Sequence, residues 1–465
     1  MQNEIPTSNP MGTAPVFRLM LSMGTPMMLS MLVQALYNIV DSLYVSHIVD
    51  ASIVNAGDLA VTALTLAFPI QLLITALCVG TGVGVNAALS RYLGQGDRQR
   101  ASRIAGNAVV LSVGYYIIIA LFGLFAAKRF LMTQTNDPVA LEMGMDYLQI
   151  VTVGSLPMTL YLCFEKLLQA TGKTTAATLG QLIGAVTNII LDPIFIFGYL
   201  GMPKMGVAGA ALATILGQFV SCIATLLLHL RRNTELDRSI KMLRPELSII
   251  GTIYSVGAPA IAMQALVSVM TYGTNLILSG VSQWAITAYG IYYKLQSFIF
   301  MPAFGLNNAS VPIIAYNYGA GKKERIRRSI RSGLIIITVL MGLGTLLLQV
   351  FCRRAVGWFA VSQETAELTV VALRVLTTGF VLAGANILLQ GVCQALGNGM
   401  YSLLVTLLRM IIVALPLAWI FAQQENALQL VWFAFPIAEA VGLVVAIILT
   451  ARLYKKRTAN MAESR

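Results

Sequence analysis

The chain has 465 residues, of which 57% are hydrophobic and only 11% are charged. A soluble protein would carry about 25% charged residues, so the composition excludes an ordinary soluble domain and indicates a membrane protein. The net charge of +12 is concentrated in a few basic loops, so it needs no nucleic acid partner. We expect these loops to contact the lipid bilayer at its anionic headgroups.

Apolar stretches of twenty residues or more recur along the whole chain, and each is long enough to cross a ~30 Å hydrocarbon core as a helix. A β-barrel would show alternating segments of ~10 residues instead. We therefore predict an all-α polytopic membrane protein. The twelve predicted spans are 17–47, 57–90, 102–127, 143–168, 175–200, 206–230, 250–280, 284–316, 330–351, 366–395, 400–421 and 429–453.

The loops between these spans differ in charge. The side that holds the N-terminus and the even-numbered loops carries 23 of the 31 Lys and Arg residues, and the opposite side carries 5. The remaining three lie within spans: Lys294, Arg374 and Arg409. The positive-inside rule then predicts a multi-pass protein of the inner (plasma) membrane with both termini in the cytoplasm. The polar start has no basic n-region, so we expect no cleavable signal peptide.

The two halves of the sequence resemble each other. "LGQGDRQRASRI" (93–104) aligns with "YGAGKKERIRRSI" (318–330) at an offset of 225, and "LQATGK" (168–173) aligns with "CQALGN" (393–398) at the same offset. "GTP" (24–26) matches "GAP" (257–259) at an offset of 233. Each half holds six predicted spans, so the repeats are parallel. Transporters with internal repeats bind substrate at the repeat interface and alternate access by moving one half against the other.

The repeat predicts five segments along the chain. They are an N-terminal cytoplasmic tail (1–16), an N-lobe with spans 1–6 (17–230), a cytoplasmic linker (231–249), a C-lobe with spans 7–12 (250–453) and a C-terminal cytoplasmic tail (454–465).

Span 1 carries a polar stripe. Tyr37, Asn38 and Asp41 follow Gln34 at i+3, i+4 and i+7, which places all four on one helical face. Such a face requires a water-filled cavity or a partner helix, and an ionisable residue inside a membrane span indicates function by default. Upstream, Pro26 removes a backbone hydrogen bond and permits a kink.

Span 5 carries a second stripe. Gln181, Asn188 and Asp192 lie at i, i+7 and i+11, and Pro193 directly follows the aspartate. The proline leaves the carbonyl of Ile189 without its amide donor. Carbonyl, amide and carboxylate oxygens together would suit a hard cation such as Na⁺, or a proton.

Three sequences now resemble a known family: "YNIVDSLYVSHI" in span 1, "NIILDPIF" in span 5 and "GVAGAALATILGQ" (206–218) in span 6. They are similar to the multidrug and toxic compound extrusion (MATE) family, and the resemblance covers essentially the whole chain. Within the family the chain looks closest to the DinF-like branch and its staphylococcal-type multidrug pumps. The resemblance implies twelve helices in two pseudo-symmetric six-helix lobes. It also implies cation-driven antiport of amphipathic, often cationic, compounds.

The resemblance assigns roles to single residues. Asp41 matches the branch's carboxylate in helix 1, and Asn188 and Asp192 match its polar pair in helix 5. Thr214 lies where a hydroxyl of helix 6 completes a cation site, and Pro26 matches the proline where helix 1 is proposed to bend when the aspartate is protonated. Another branch, the NorM-like one, has carboxylates in helices 7 and 10. This chain lacks both, so that mechanism cannot be transferred.

The second half has its own charges within spans: Lys294, Arg409 and Glu439 each lie about ten residues into a span, near mid-depth at 1.5 Å per residue. We expect Glu439 to form a structural ion pair with Lys294 or Arg409. A role of these charges in substrate or proton handling is the alternative. The carboxylates Asp41 and Asp192 also have a structural interpretation, as groups hydrogen-bonded within the helix bundle.

We therefore predict a cation-coupled (H⁺ or Na⁺) multidrug efflux antiporter that exports small organic cations and functions as a monomer. We expect no cofactor and no metal site, since five scattered cysteines and two histidines offer no ligand pattern. An enzyme would need a motif such as HExxH, and none is present. One alternative is a flippase for lipid-linked precursors; such proteins favour a cationic cavity, whereas we interpret the charged side chains within the first-half spans as acidic. Another alternative is the major facilitator family, because "GQGDRQRASR" (94–103) partly resembles the loop between the second and third helices of that family.

Overall fold

The computed structural model describes residues 9–48, 56–135, 137–359, 361–459 and 461. Within these ranges every regular element is helical. The helices are α1 (Pro10–Thr13), α2 (Val16–Ser46), α3 (Ala56–Gly94), α4 (Arg98–Phe125), α5 (Ala127–Met132), α6 (Pro138–Val153), α7 (Leu156–Ala170), α8 (Thr174–Phe197), α9 (Gly206–Arg232), α10 (Leu247–Ser279), α11 (Gln283–Gly319), α12 (Lys323–Val356), α13 (Gln363–Leu376), α14 (Phe380–Ala395), α15 (Gly399–Leu407), α16 (Leu415–Ala422), α17 (Ala427–Leu430) and α18 (Ala434–Thr458).

The predicted number of membrane spans is confirmed. In the described ranges, eleven helical stretches are long and apolar enough to cross a membrane, and a bent pair raises the number to twelve. The bent pair is α6 and α7, which meet at 48°. Pro157 lies in the first turn of α7, where a missing amide is tolerated, so the chain changes direction there.

By compactness the chain divides into two units. We call Leu32–Leu89 with Arg98–Gly251 the N unit, and Met1–Met31, Ser90–Asp97 and Thr252–Arg465 the C unit. The division falls inside α2, between Met31 and Leu32. The five segments predicted from the repeat stay a prediction.

Glycines bring α8 and α9 close together in the N unit. A Cβ on Gly217 would lie 2.8 Å from Asn188 Cβ, and a Cβ on Gly184 would overlap the Ser221 hydroxyl. That hydroxyl donates to the carbonyl of Gly180 at 3.0 Å. The close approach places the polar stripe of α8 directly against α9.

The linker packs onto α4 through one buried amide. Asn107 is fully buried; it accepts from the backbone N–H of Glu246 at 2.9 Å and donates to the carbonyl of Arg244 at 3.2 Å. Arg103 Nη1 donates to Glu246 Oε2 at 2.6 Å. This bond lowers the pKa of the Glu246 carboxyl below its ordinary value.

The C unit holds the short helix α1 by its carbonyl groups. Asn317 Nδ2 donates to the carbonyl of Met11 at 2.9 Å, and Lys322 Nζ donates to that of Gly12 at 2.8 Å. Arg325 Nη2 donates to the carbonyl of Ala14 at 2.8 Å.

The glycines that anchor the sequence repeat have equivalent conformations. Gly96 and Gly321 have φ of 78° and 70°, and Gly172 and Gly397 have φ of 83° and 77°. Only glycine adopts this left-handed region without strain. The two positions in each half are therefore equivalent turns, which supports the offset of 225.

Two further repeat positions form a helix crossing within the C unit. A Cβ on Gly94 at the end of α3 would overlap the carbonyl oxygen of Tyr316 on α11. A Cβ on Gly319 at the end of α11 would overlap the carbonyl oxygen of Arg91 on α3. These four residues form two pairs at the offset of 225, so the crossing is itself two-fold symmetric.

The halves also differ at one helix contact, where the glycine and the larger polar residue lie on opposite helices in the two halves. Gly82 on α3 packs against the side chain of Lys166 on α7, whose Cγ would lie 2.7 Å from a Cβ at Gly82. At the offset of 225 the counterparts are Asn307 on α11 and Gly391 on α14, where a Cβ at Gly391 would overlap the Asn307 amide. Each half thus pairs one glycine with one large polar side chain, on opposite helices.

Candidate ion-coupling site

Asp192 lies near the end of α8 and is fully buried. Pro193 follows it within an otherwise regular helix. Because proline has no amide hydrogen, the carbonyl of Ile189 has no helical partner. The aspartate therefore lies beside a backbone oxygen freed from the helical ladder, as the sequence predicted.

Asn188 links this carboxylate to α9. Asn188 and Thr214 are 3% and 7% exposed. In the amide orientation that satisfies both of its ends, Asn188 donates to Asp192 Oδ2 at 3.1 Å and accepts from the backbone N–H of Thr214 at 3.1 Å. The structure thus brings together three of the four residues predicted for ion coupling.

The fourth, Asp41, approaches from α2. It is half-buried, and its Oδ1 atom has no hydrogen-bond partner among the described atoms. Asp41 is close enough to Asp192 for the two carboxylates to interact electrostatically. On the same helix, Tyr37 pairs through its hydroxyl with Thr214.

Two glutamines connect α2 and α8 about two helical turns from the site. Gln181 Nε2 on α8 donates to Gln34 Oε1 on α2 at 2.6 Å, so the predicted cavity residues Gln34 and Gln181 are partners. Tyr37, the third predicted cavity residue, is half-buried. The side chain of Asn38, the fourth, lies outside the described part of the chain.

The arrangement concentrates oxygen atoms around two carboxylates that lack any cationic side chain as a described ion-pair partner. A proton on either carboxylate, or a bound Na⁺, would relieve their repulsion. The site can therefore take up one positive charge in exchange for another.

Pro26 lies inside α2, which runs without interruption from Val16 to Ser46. The predicted bend at Pro26 stays a prediction.

In the C unit, Glu439 is paired with Arg409 and not with Lys294. Arg409 Nη1 donates to Glu439 Oε1 at 2.5 Å. Asn386 Nδ2 donates to Glu439 Oε2 at 2.8 Å and to its backbone carbonyl at 3.0 Å. Lys294 is exposed and makes no ion pair within the described ranges.

Sequence reasoning missed a second cluster of ionisable residues. Glu165 and Lys166 are 5% and 3% exposed on α7. The charge count places Lys166 with the cytoplasmic loops, and that assignment is wrong because the side chain lies buried inside a membrane helix. The signal was present: "FEKLLQ" lies within the predicted span 143–168, where two adjacent charges are costly. The charged side chains within the first-half spans are thus not acidic alone.

Comparisons with known proteins agree with this fold. The sequence matches the MatE family over residues 26–194 and 259–420. The multidrug export protein MepA of Staphylococcus aureus (strain MRSA252) is 24% identical over 97% of both chains. A crystal structure of a MATE protein in the straight conformation has a TM-score of 0.90 at 23% identity, covering 98% of this chain and 99% of that one. Another in the bent conformation has a TM-score of 0.87 at 24% identity, covering 96% and 98%.

The family match covers more than half of the chain and includes both repeats. It also includes Asp41, Asn188 and Asp192. The expectation of a transporter fold rather than an enzyme is confirmed, while placement in the DinF-like branch stays a prediction. The chain belongs to the MatE family of membrane transporters.

Proposed function

We propose that this protein is a cation-coupled multidrug efflux antiporter. It exports amphipathic, mostly cationic organic compounds in exchange for H⁺ or Na⁺, by alternating access. Family membership and relatives named as multidrug export proteins support the transport of drugs. We further propose that the protein lies in the plasma membrane with both termini in the cytoplasm, and that it functions as a monomer.

One observation carries the coupling proposal. Asp192 is fully buried, its described hydrogen-bond partner is the neutral amide of Asn188, and a second carboxylate lies near it. A buried carboxylate without a countercharge is costly. Binding of a cation at Asp41 and Asp192 removes that cost, so a drug cation and the coupling ion compete for the same negative charge.

In this proposal, helix α2 links the charge on Asp41 to its own bend at Pro26. Asp41 lies fifteen residues after Pro26 on the same helix, and a proline is a point where a helix bends at low cost. Neutralising Asp41 changes the interactions of the outer half of α2. The bend at Pro26 then converts ion binding into a change of the substrate site.

The test is transport of ethidium into proteoliposomes that contain the purified chain, under an imposed pH gradient or an imposed Na⁺ gradient. We expect Asp41→Asn to reduce gradient-driven transport at least tenfold. Asp137→Asn is the matched control, because Asp137 is an exposed N-cap residue of α6 in the same unit. Gradient-driven exchange at the wild-type rate by Asp41→Asn would contradict the proposal.

The alternative function is a flippase for lipid-linked precursors. Lys166 adds a buried cation to the N unit, but Glu165 beside it balances that charge. Asp41 and Asp192 remain as the unbalanced charges. This distribution favours cationic cargo over pyrophosphate-linked cargo.

A further inference from the structure

The second polar cluster of the N unit is held together by side-chain hydrogen bonds. We call Glu165, Lys166 and Gln169 of α7 the inner network. Lys166 Nζ donates to Gln169 Oε1 at 2.9 Å, and Gln169 Nε2 donates to Glu165 Oε1. All three are at least 95% buried. Among the described residues, Glu165 and Lys166 form no direct ion pair, so a neutral amide stands between the two charges.

The inner network borders a small cavity of about 20 Å³. Lys166 contributes to its wall, together with Thr81 on α3 and Tyr115 on α4. Their hydroxyl groups lie 2.8 Å apart and form a hydrogen bond. Ser112 and Thr159 add two more hydroxyls to the wall. A cavity of this size with hydroxyl groups and an ammonium has room and partners for about one water molecule.

The inner network and the ion-coupling site lie at different depths. Lys166 is four residues from the end of α7, about 6 Å at 1.5 Å per residue. Asp192 is eighteen residues from the start of α8, about 27 Å by the same measure. A three-residue turn joins the end of α7 to the start of α8, so both distances start at the same membrane face. That face is the one predicted to be cytoplasmic.

Polar groups on α3 lie at two depths, one near each site. Gln71 donates to the hydroxyl of Tyr147 at 2.9 Å, and Tyr147 interacts electrostatically with Asp41. Thr81 lies ten residues further along α3, about 15 Å towards the cytoplasmic face, and bonds to Tyr115 in the cavity wall. One polar pair of the N unit thus lies beside the ion-coupling site and another beside the inner network.

We propose that the inner network is a proton-carrying station between the ion-coupling site and the cytoplasm. Glu165 accepts the proton that leaves Asp41 or Asp192 and then releases it to the cytoplasmic side. The O–H bond of the donating carboxyl breaks as a water molecule or hydroxyl group between the two sites takes up the proton, and an O–H bond forms at Glu165 when the last such carrier gives the proton up. The ammonium of Lys166 stabilises the carboxylate that remains after Glu165 releases the proton. This inference rests on the proposed function and narrows its coupling ion to H⁺.

The chemistry of the network selects protons over Na⁺. Hard cations take oxygen ligands, whereas Lys166 presents an ammonium and Gln169 turns its N–H group towards Glu165. An ammonium repels Na⁺ but does not hinder a proton that moves along hydrogen bonds. The surrounding titratable groups are Tyr161 and Cys163 on α7, Cys78 on α3, Tyr115 on α4, and Cys222 and His229 on α9.

The experiment uses proteoliposomes of the full chain with ethidium as substrate and pyranine as an internal pH indicator. We expect Glu165→Gln to reduce ethidium transport driven by a pH gradient at least tenfold, together with the accompanying proton flux. Exchange of ethidium for ethidium without any gradient should stay within twofold of wild type. Glu246→Gln, which removes an exposed carboxylate of the same unit, should leave both assays unchanged.

Glu165→Asp separates a proton-carrying role from a merely structural one and replaces Glu165→Gln if that variant does not fold. We expect it to keep coupled transport but to shift the pH of half-maximal rate relative to wild type. An unchanged pH profile in Glu165→Asp, or full coupling in Glu165→Gln, would overturn the inference. So would wild-type transport driven at full rate by a Na⁺ gradient alone. That last result would leave the proposed function standing, whereas full coupling in Asp41→Asn would remove the function itself.

Discussion

Two carboxylates within the membrane helices of this protein have opposite surroundings. Asp192 faces the neutral amide of Asn188, whereas Glu439 receives the guanidinium of Arg409 and the amide of Asn386. The charge of Glu439 is therefore balanced within its own helix bundle, and that of Asp192 is not. An unbalanced charge is the one that can respond to a coupling ion, so we propose a transport role for Asp192 and a structural role for Glu439.

We predict that Glu439→Gln lowers the stability of the purified protein. Removing one member of a buried pair leaves the guanidinium of Arg409 without its countercharge, at a cost of about 3 kcal/mol. The double variant Arg409→Met/Glu439→Gln should be less destabilised than the single one, since it leaves no unpaired charge. Thermal unfolding in detergent measures both. A single variant as stable as wild type but inactive in transport would show that Glu439 acts in transport instead.

The exposed pair of Arg103 and Glu246 should make stability depend on pH. Because its folded-state pKa is lowered, Glu246 stabilises the protein above the ordinary glutamate pKa of 4.5. This stabilisation is lost as the pH falls through the folded-state value. We expect the melting temperature of wild type to exceed that of Glu246→Gln at pH 6 and the difference to vanish at low pH. The difference should also shrink in 1 M salt, because exposed ion pairs are screened. A pH-independent difference would show that another interaction causes it.

At the scale of helices, the crossing of α3 and α11 depends on two glycines. We predict that Gly319→Ala destabilises the protein, because the added methyl group would overlap the carbonyl oxygen of Arg91. Overpacking of this kind costs about 1–3 kcal/mol. Gly290→Ala in the same helix is the matched control, since nothing lies within 4 Å of its added Cβ. Equal melting temperatures for the two variants would show that the crossing yields without strain.

The helices were largely predictable, but their irregularities were not. Twelve apolar stretches predicted the spans because length and hydropathy are properties of the sequence alone. The π-helical segment Leu408–Ala414 between α15 and α16 was not predicted. Pro416 withholds its amide from the carbonyl of Ile412, which explains why hydrogen bonding changes there. The widened turn also contains Arg409, whose partner Glu439 lies on α18, and such a long-range pairing leaves no local pattern.

At the scale of the whole molecule, orientation in the membrane is the main prediction left open by the fold. The five native cysteines are buried, so single cysteines introduced in loops can be labelled over a low background. We predict that Gln95→Cys reacts with an impermeant maleimide only from the cytoplasmic side and Lys204→Cys only from the outside. Labelling of intact cells and of inverted vesicles measures this. The reverse pattern would contradict the assignment of basic loops to the cytoplasm.

The ion-coupling site was predictable to a greater degree than the inner network. Asn188 and Asp192 lie on one helix at fixed spacing, and the periodicity of a helix is enough to place them together. The contact of Asn188 with Thr214 required the resemblance to a family. The inner network was missed because Glu165 and Lys166 lie near the end of a predicted span, where charges ordinarily reach water. Lys166 packs against the glycine at position 82 of another helix, and no local pattern reveals this contact.

The exchange of glycine and polar side chain between the halves has a consequence for the descent of this chain from a duplicated ancestor. Replacing Gly82 on α3 by asparagine alone would set that asparagine against Lys166. Replacing Lys166 on α7 by glycine alone would place two glycines opposite each other and leave a gap. Only a joint replacement restores the contact. Neither arrangement converts into the other through a single substitution that keeps the contact packed. A chimaera that exchanges helices between the halves should therefore exchange α3 with α11 and α7 with α14 together.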